Sequence, residues 1–373
     1  MSKDTVNRSL RTGGVVLLWT LVGISVAAGS DFNDRGNIVI ADQLNNRVIE
    51  VDPATHNIVW HFGNGSDKPG PHSVVGVNDA ERFGRFTLLS GSGIPPSNPA
   101  SPLPGCSDPV NGCPDNRVFI VNDAGKIIWQ YGQDAVAGAA SNQLNTPVDA
   151  VILSEFQGHH GIHVMITDQG NSRVIIVNLK RQIVWQYGTT MVPGMGLNQL
   201  NNPNSAQLLP NGHVLIADEN NNRAIEVTLG KHFVRAFSAG GTASGVAFAS
   251  RLGNGHTLIT DSNNNRIVEV NGSDGVVWEY FTNTDAGTNA APLPTRAVRL
   301  RNGHTLISDQ FNNRVIEVTP AKHVVFEQGT INVIGKTFNL LNGPYDAKVV
   351  GDFTGLTPPF NDDDNDHDHD HEE

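Results

Sequence analysis

Residues 302–318 read NGHTLISDQFNNRVIEV, and residues 254–270 repeat the phrase as NGHTLITDSNNNRIVEV. Weaker copies run NGHVLIADENNNRAIEV over 211–227, GIHVMITDQGNSRVIIV over 161–177 and GNIVIADQLNNRVIEV over 36–51. Each copy sets a polar hexad between two runs in which Leu, Ile and Val alternate with polar residues. That pattern predicts two half-buried strands, and the Asn-rich link supplies the positive backbone angles of a tight turn.

Working outward, a third apolar segment follows each pair: IVWHF before Gly63, IIWQY before Gly132, IVWQY before Gly188 and VVWEY before Phe281. Another short strand precedes it, as in PVDAVIL from Pro147 or PNSAQLL from Pro203. Four strands per unit, with 43 to 50 residues between successive repeat aspartates from Asp168 to Asp309, predict the blades of a β-propeller. Asp42 to Asp168 leaves space for one further blade, from about Val74 to Gly132. Its second strand is FTLLSGSG and its third is NRVFIV from Asn116. The expected fold is therefore all-β, a six-bladed β-propeller over 31–357. The first blade lacks an inner strand of its own, and LNGPYDAKVV from Leu341 is an inner strand without a blade. The C-terminal strand is expected to complete the N-terminal blade and close the ring, leaving no exposed sheet edge.

Residues 1–30 read as a signal peptide or an N-terminal anchor. Lys3, Arg8 and Arg11 precede an apolar run ending at Val26-Ala27-Ala28. The implied localisation is secreted, periplasmic or cell-surface, with membrane contact only if that segment is retained. In such a compartment Cys106 and Cys113, the only two cysteines, are expected to form a disulfide within the Pro-rich insertion 92–115. At the other end, residues 358–373 form an acidic, His-rich tail expected to be disordered. Eight of its last twelve residues are acidic and supply most of the formal charge of −12. His367, His369 and His371 are candidate loose ligands for zinc, nickel or copper. No basic stripe or phosphate-cradling loop points to nucleic acid.

The hexad followed by an apolar strand, D-x-x-N-x-R, resembles the NHL repeat of six-bladed propellers. The longer phrase is similar to the propeller of bacterial arylsulfate sulfotransferase-like proteins. The resemblance implies a propeller that serves as a protein-binding scaffold, a lyase, a lactonase or a sulfotransferase.

Within the repeat, five pairs are expected to be structural joints: Asp42 with Arg47, Asp168 with Arg173, Asp218 with Arg223, Asp261 with Arg266, and Asp309 with Arg314. His163, His213, His256 and His304 recur five residues before the repeat aspartate. They sit too far from the axis to share one metal and are expected to flank a rim turn. On the inner strands Ala80, Ala150, Ala206, Ala249, Ala297 and Ala347 form a column of small residues. The position before it carries Asp79, Asp149 and Asp346 from three consecutive blades, a candidate Ca²⁺ site at the channel mouth. Arg296 is the candidate catalytic cation. The sulfotransferase resemblance implies a channel histidine as sulfate carrier, and none occupies that position here. The expected function is an exported binding or scaffolding propeller holding a protein or small molecule on the face of the hexad turns. The alternative is a channel-mouth enzyme, either a calcium-dependent hydrolase or lyase or a divergent aryl sulfotransferase.

Overall fold

A computed structural model describes residues 31–352. The N-terminal segment 1–30 and the tail with His367, His369 and His371 lie outside these residues. The described chain forms six four-stranded antiparallel sheets. In the first are β1 (Ile38–Asp42), β2 (Arg47–Val51) and β3 (Ile58–Phe62). Blade two is β4 (Val77–Phe83), β5 (Phe86–Ile94), β6 (Cys113–Asn122) and β7 (Ile127–Gly132). Blade three is β8 (Pro147–Phe156), β9 (His159–Asp168), β10 (Arg173–Asn178) and β11 (Ile183–Tyr187). Blade four is β12 (Pro203–Leu208), β13 (His213–Asp218), β14 (Arg223–Thr228) and β15 (Phe233–Phe237). Blade five is β16 (Val246–Arg251), β17 (Thr257–Asp261), β18 (Arg266–Val270) and β19 (Val276–Phe281). Blade six is β20 (Arg296–Arg299), β21 (Thr305–Asp309), β22 (Arg314–Val318) and β23 (Val324–Gly329). The last strand, β24 (Pro344–Val349), pairs with β1 and closes the ring, with Ile40 opposite Ala347.

Every letter of the repeated hexad has a task. The Asp ends the second strand and a single 3-10 turn follows, closed by a residue in the left-handed region: Asn46, Ser172, Asn222, Asn265 or Asn313, with φ between 53° and 59°. Asn tolerates that region better than most residues. The preceding Asn donates both to the repeat Asp and to a carbonyl of the crossover entering its blade, as Asn221 does to Asp218 and Gly194. The closing Asn accepts an N–H from the lead-in to the next inner strand, as Asn222 does from Gly245 at 2.8 Å. In all five expected pairs the Arg Nε donates to the repeat carboxylate at 2.7 to 2.9 Å. The other carboxylate oxygen accepts an N–H of the incoming crossover in four blades, from Asn342, Asn145, Asn201 and Ser244. The turn thus satisfies backbone groups that the blades' edges leave unpaired.

Blades meet through side chains of the core between them. The alanine column is buried at all six positions, as convergence on the axis requires. On the outer strands, Trp60, Trp129, Trp185 and Trp278 each send the indole N–H to a carbonyl in the next blade's turn: Asp123, Leu179, Leu229 and Pro320. At the closure, where Phe326 stands in the Trp position, the His56 ring of blade one stacks on it at 5.6 Å.

Blade two departs from the expected count of five joints. Its second and third strands continue into the insertion, with Gly93 opposite Pro114 and Ile94 opposite Cys113, so only 95–112 is loop. A sixth joint is present, but its carboxylate is Asp115, two residues before Arg117, which donates to it. Asp115 also accepts the Val75 N–H at 2.7 Å. It reaches across from β6 into space that only a glycine leaves open on β5, since a Cβ on Gly91 would lie 2.5 Å from its carboxylate. The insertion holds the Cys106–Cys113 disulfide, with Cα atoms 5.6 Å apart. It folds back onto blade one, where Leu44, Val75, Ile94 and Leu103 pack with the two cysteines.

Candidate functional site

Each inner strand enters the channel at the face of the hexad turns and runs toward the opposite face. In β4, β8, β12, β16 and β24 the register slips by one residue near the start, a bulge that leaves one residue unpaired before the channel-facing position. Inner strands have no ladder partner on their axial edge, so their N–H groups need other acceptors. Side chains supply them in sequence around the ring. Asp346 accepts the N–H of Ala80, Asp79 that of Ala150, Asp149 that of Ala206 and Ser205 that of Ala249, at 3.0 to 3.4 Å. Two residues further along, Glu81 accepts from Ile152 and Gln207 from Arg251.

Asp79, Asp149 and Asp346 therefore do face one channel, but the chain supplies its own cations. Lys348 Nζ lies 2.5 Å from Asp79 and 2.8 Å from Asp346, and also donates to the Ala80 carbonyl. Arg296 Nη2 stands 3.7 Å from Asp149. Burial pushes the Asp79 and Asp149 carboxyls up, opposed chiefly by Lys348 for the first and Arg296 for the second. Burial alone would pull the Lys348 ammonium down; the field of Asp346, Asp79, Glu81 and Asp149 reverses this and raises it. As arranged, the donor set does not fit calcium, because Lys348 fills the cation position. Among the described residues no group of three or more His, Cys, Asp or Glu side chains is placed to hold a metal ion.

Arg296 is 1 % exposed and closes the channel as a plug. From blade six its guanidinium reaches the Val148, Asn204 and Ala247 carbonyls of three other blades and the Asn204 side chain. The rings of Phe248 and Tyr345 lie 5.2 and 5.0 Å from it. Above the plug, Asn204 bridges the Tyr345 hydroxyl and Glu219 at 2.9 Å each, and Gln43 joins Asn78 to Gln310. The position after the repeat aspartate, Gln43, Gln169, Glu219, Ser262 and Gln310, thus contributes several members of a polar rim that the hexad already displayed in sequence.

Below the plug the channel opens toward the opposite face as a funnel, with a cavity of about 50 Å³. Phe248, Asp149, Glu81, Val151, Gln207 and Lys348 are among the residues that line it. Burial raises the Glu81 carboxyl to about 7, partly offset by Lys348. Neither Glu81 nor Lys348 was expected from sequence. Both follow the alanine column directly, a position whose other members are Val151, Gln207, Ser250 and Val298. The repeated histidines lie away from this channel, as expected. His213, His256 and His304 each contact the third-strand Glu of their own blade at 2.5 to 2.7 Å, and His163 contacts the Gly161 carbonyl. Glu50, Glu226 and Glu269 also take Arg82, Arg251 and Arg299 from the next inner strand, a second set of blade joints.

No family model matches the chain, and no curated protein matches it in sequence. Solved structures match in shape. A protein of unknown function from Bacteroides caccae superposes with a TM-score of 0.54 at 14% identity, over 79% of this chain and 93% of that one. Virginiamycin B lyase from Staphylococcus aureus gives 0.42 at 13% identity over 67% and 69%, and a functionally unknown protein from Desulfotomaculum acetoxidans gives 0.48 at 11% over 84% and 98%. At such identities the likeness extends to the propeller fold alone.

Proposed function

We propose that the chain is an exported, NHL-like propeller that works as a binding module and holds a protein partner on the face of its hexad turns. One observation carries this reading. Two crossovers on that face present large apolar side chains to solvent: Met191, Met195 and Leu197 after blade three, and Ile334 and Phe338 after blade six, with Leu197 81% and Phe338 65% exposed. Three blades apart in a ring of six, they stand on opposite sides of one face, and exposed apolar groups of this kind mark interaction surfaces. The channel's aspartates and Arg296, by contrast, are engaged in ties between blades. Export is supported by the basic-then-apolar start of the sequence and by the Cys106–Cys113 bridge, which suits an oxidising compartment. No helix among the described residues is long and apolar enough to cross a membrane.

The test is cross-linking capture from intact cells with wild type and a Leu197→Ser, Phe338→Ser double variant. A partner retained by wild type and lost from the folded double variant is the expected result; identical capture by both would end the proposal.

A second reading rests on Glu81. A buried carboxyl poised near neutrality in a cavity suits general acid–base chemistry. Among the described residues the funnel lining contains no His to serve as a sulfate carrier.

A further inference from the structure

The funnel beneath Arg296 lies on the face opposite the proposed protein-binding surface, and its chemistry is independent of that reading. We propose that it is a binding site for a small organic ammonium ion carrying an oxygen acceptor on a short apolar body, such as an amino alcohol.

Charge gives the sign of the ligand. Four carboxylates, Asp79, Asp149, Asp346 and Glu81, share this part of the channel with two internal cations, Lys348 and Arg296. With all four ionised the excess is negative, and it shrinks as Glu81 takes up its proton below pH 7. An anion would find the internal cations engaged. Lys348 already donates to Asp79, Asp346 and the Ala80 carbonyl. Arg296 lies between Phe248 and Tyr345, and Arg82, which also borders the funnel, pairs with Glu50 at 2.5 Å; the one nitrogen each leaves unpaired, Nε, is itself buried.

Two nearly buried side chains, Glu81 at 4% and Gln207 at 6% exposure, then give the ligand its shape. Glu81 Oε2 accepts the Ile152 N–H at 3.2 Å, and its other oxygen has no hydrogen-bond donor among the described residues. The Gln207 side-chain carbonyl accepts the Arg251 N–H at 2.8 Å; the residue lines the funnel, and its amide NH₂ has no acceptor among the described residues. An ammonium pairs with the first and an oxygen on the same molecule with the second, each in place of water. Val39, Val151 and Val350 supply apolar wall for a chain of a few carbons. Bound cation and proton compete for Glu81, whose carboxyl stands near 7 and is faced by Lys348, Asp149 and Asp346. Ammonium binding therefore strengthens as pH rises.

The experiment is calorimetric titration of the folded protein with 4-aminobutan-1-ol, butylammonium, 1-butanol and butyrate at pH 6 and pH 8. The amino alcohol is expected to bind most tightly, at least about tenfold better than butanol or butyrate, and about tenfold more weakly at pH 6 than at pH 8. Glu81→Gln, which keeps an acceptor for Ile152, is expected to abolish the preference for the cation. Gln207→Met is expected to bring 4-aminobutan-1-ol down to the affinity of butylammonium. In wild type the Glu81 side-chain carbon signal is expected to report a lowered titration midpoint on ligand addition, a readout that needs no variant. Equal binding of butanol, tighter binding of butyrate, no binding of any probe, or an unmoved Glu81 titration would each overturn the proposal.

Discussion

Asp149 of blade three accepts the backbone N–H of Ala206 in blade four at 3.0 Å, with Arg296 of blade six standing 3.7 Å from its other oxygen. One carboxylate thus touches three blades and bears on the closure of the ring. Asp149→Ala leaves a buried N–H without an acceptor and a buried guanidinium without its counter-charge, and is expected to cost about 2–4 kcal/mol. Asp149→Asn keeps the acceptor and is expected to cost less than half of that. Urea unfolding of the two variants checks this, and equal losses would show that the N–H tie is unimportant.

The repeat aspartates are not equivalent. Asp218 Oδ1 accepts the Asn201 N–H at 2.8 Å, whereas the corresponding oxygen of Asp309 is buried and accepts no backbone N–H among the described residues. Asp218→Asn would set an amide NH₂ against that N–H and is expected to cost about 2 kcal/mol. Asp309→Asn leaves the bonds from Arg314 and Asn312 in place and is expected to cost less than about 1 kcal/mol. Thermal unfolding of both variants decides between unequal and equal costs.

Glu81 is expected to make the propeller's stability depend on pH. Burial raises its carboxyl from 4.5 to about 7. A raised carboxyl means that the folded state holds a proton the unfolded chain releases. Its favourable contribution is complete below pH 4.5 and is lost as pH rises through 7. Glu81→Gln removes that dependence, so the variant is expected to gain up to about 3 kcal/mol over wild type at pH 8 compared with pH 4. Chemical denaturation at the two values measures the difference; a constant offset would count against a proton held at Glu81.

The Cys106–Cys113 bridge closes a short loop packed on Leu44 and held by the Asp67 contact to the Ser107 N–H. Replacing both cysteines with serine is expected to free about 2 kcal/mol of loop entropy locally. Limited proteolysis should then cut within 95–112 much faster while the ring stays folded, with fragments identified by mass spectrometry. Global unfolding at the same protease dose would mean that the insertion supports the whole propeller.

Blade number, strand count and ring closure were readable because every blade solves the same problem with the same residues, and LNGPYDAKVV matched the inner strands that other blades place after the same lead-in. The sixth joint was not readable: Asp115 comes from the strand opposite the usual one and stands two residues from Arg117, so the five-residue spacing that marks the others is absent. The three channel aspartates were visible as a column, but Lys348 was not. Its position follows the alanine column, where the other blades carry Glu, Val, Gln, Ser and Val, and a residue that occurs once in six leaves no periodic trace. What a repeat hides is the place where one blade differs.

The pairing of β24 with β1 makes the two ends of the propeller a single object. A growing chain holds five complete blades and one that lacks its innermost strand until Pro344 to Val349 arrives, so the ring acts as its own check for completeness. Loss of the last strand through a premature stop or a protease cut would register as a defect in the blade made first.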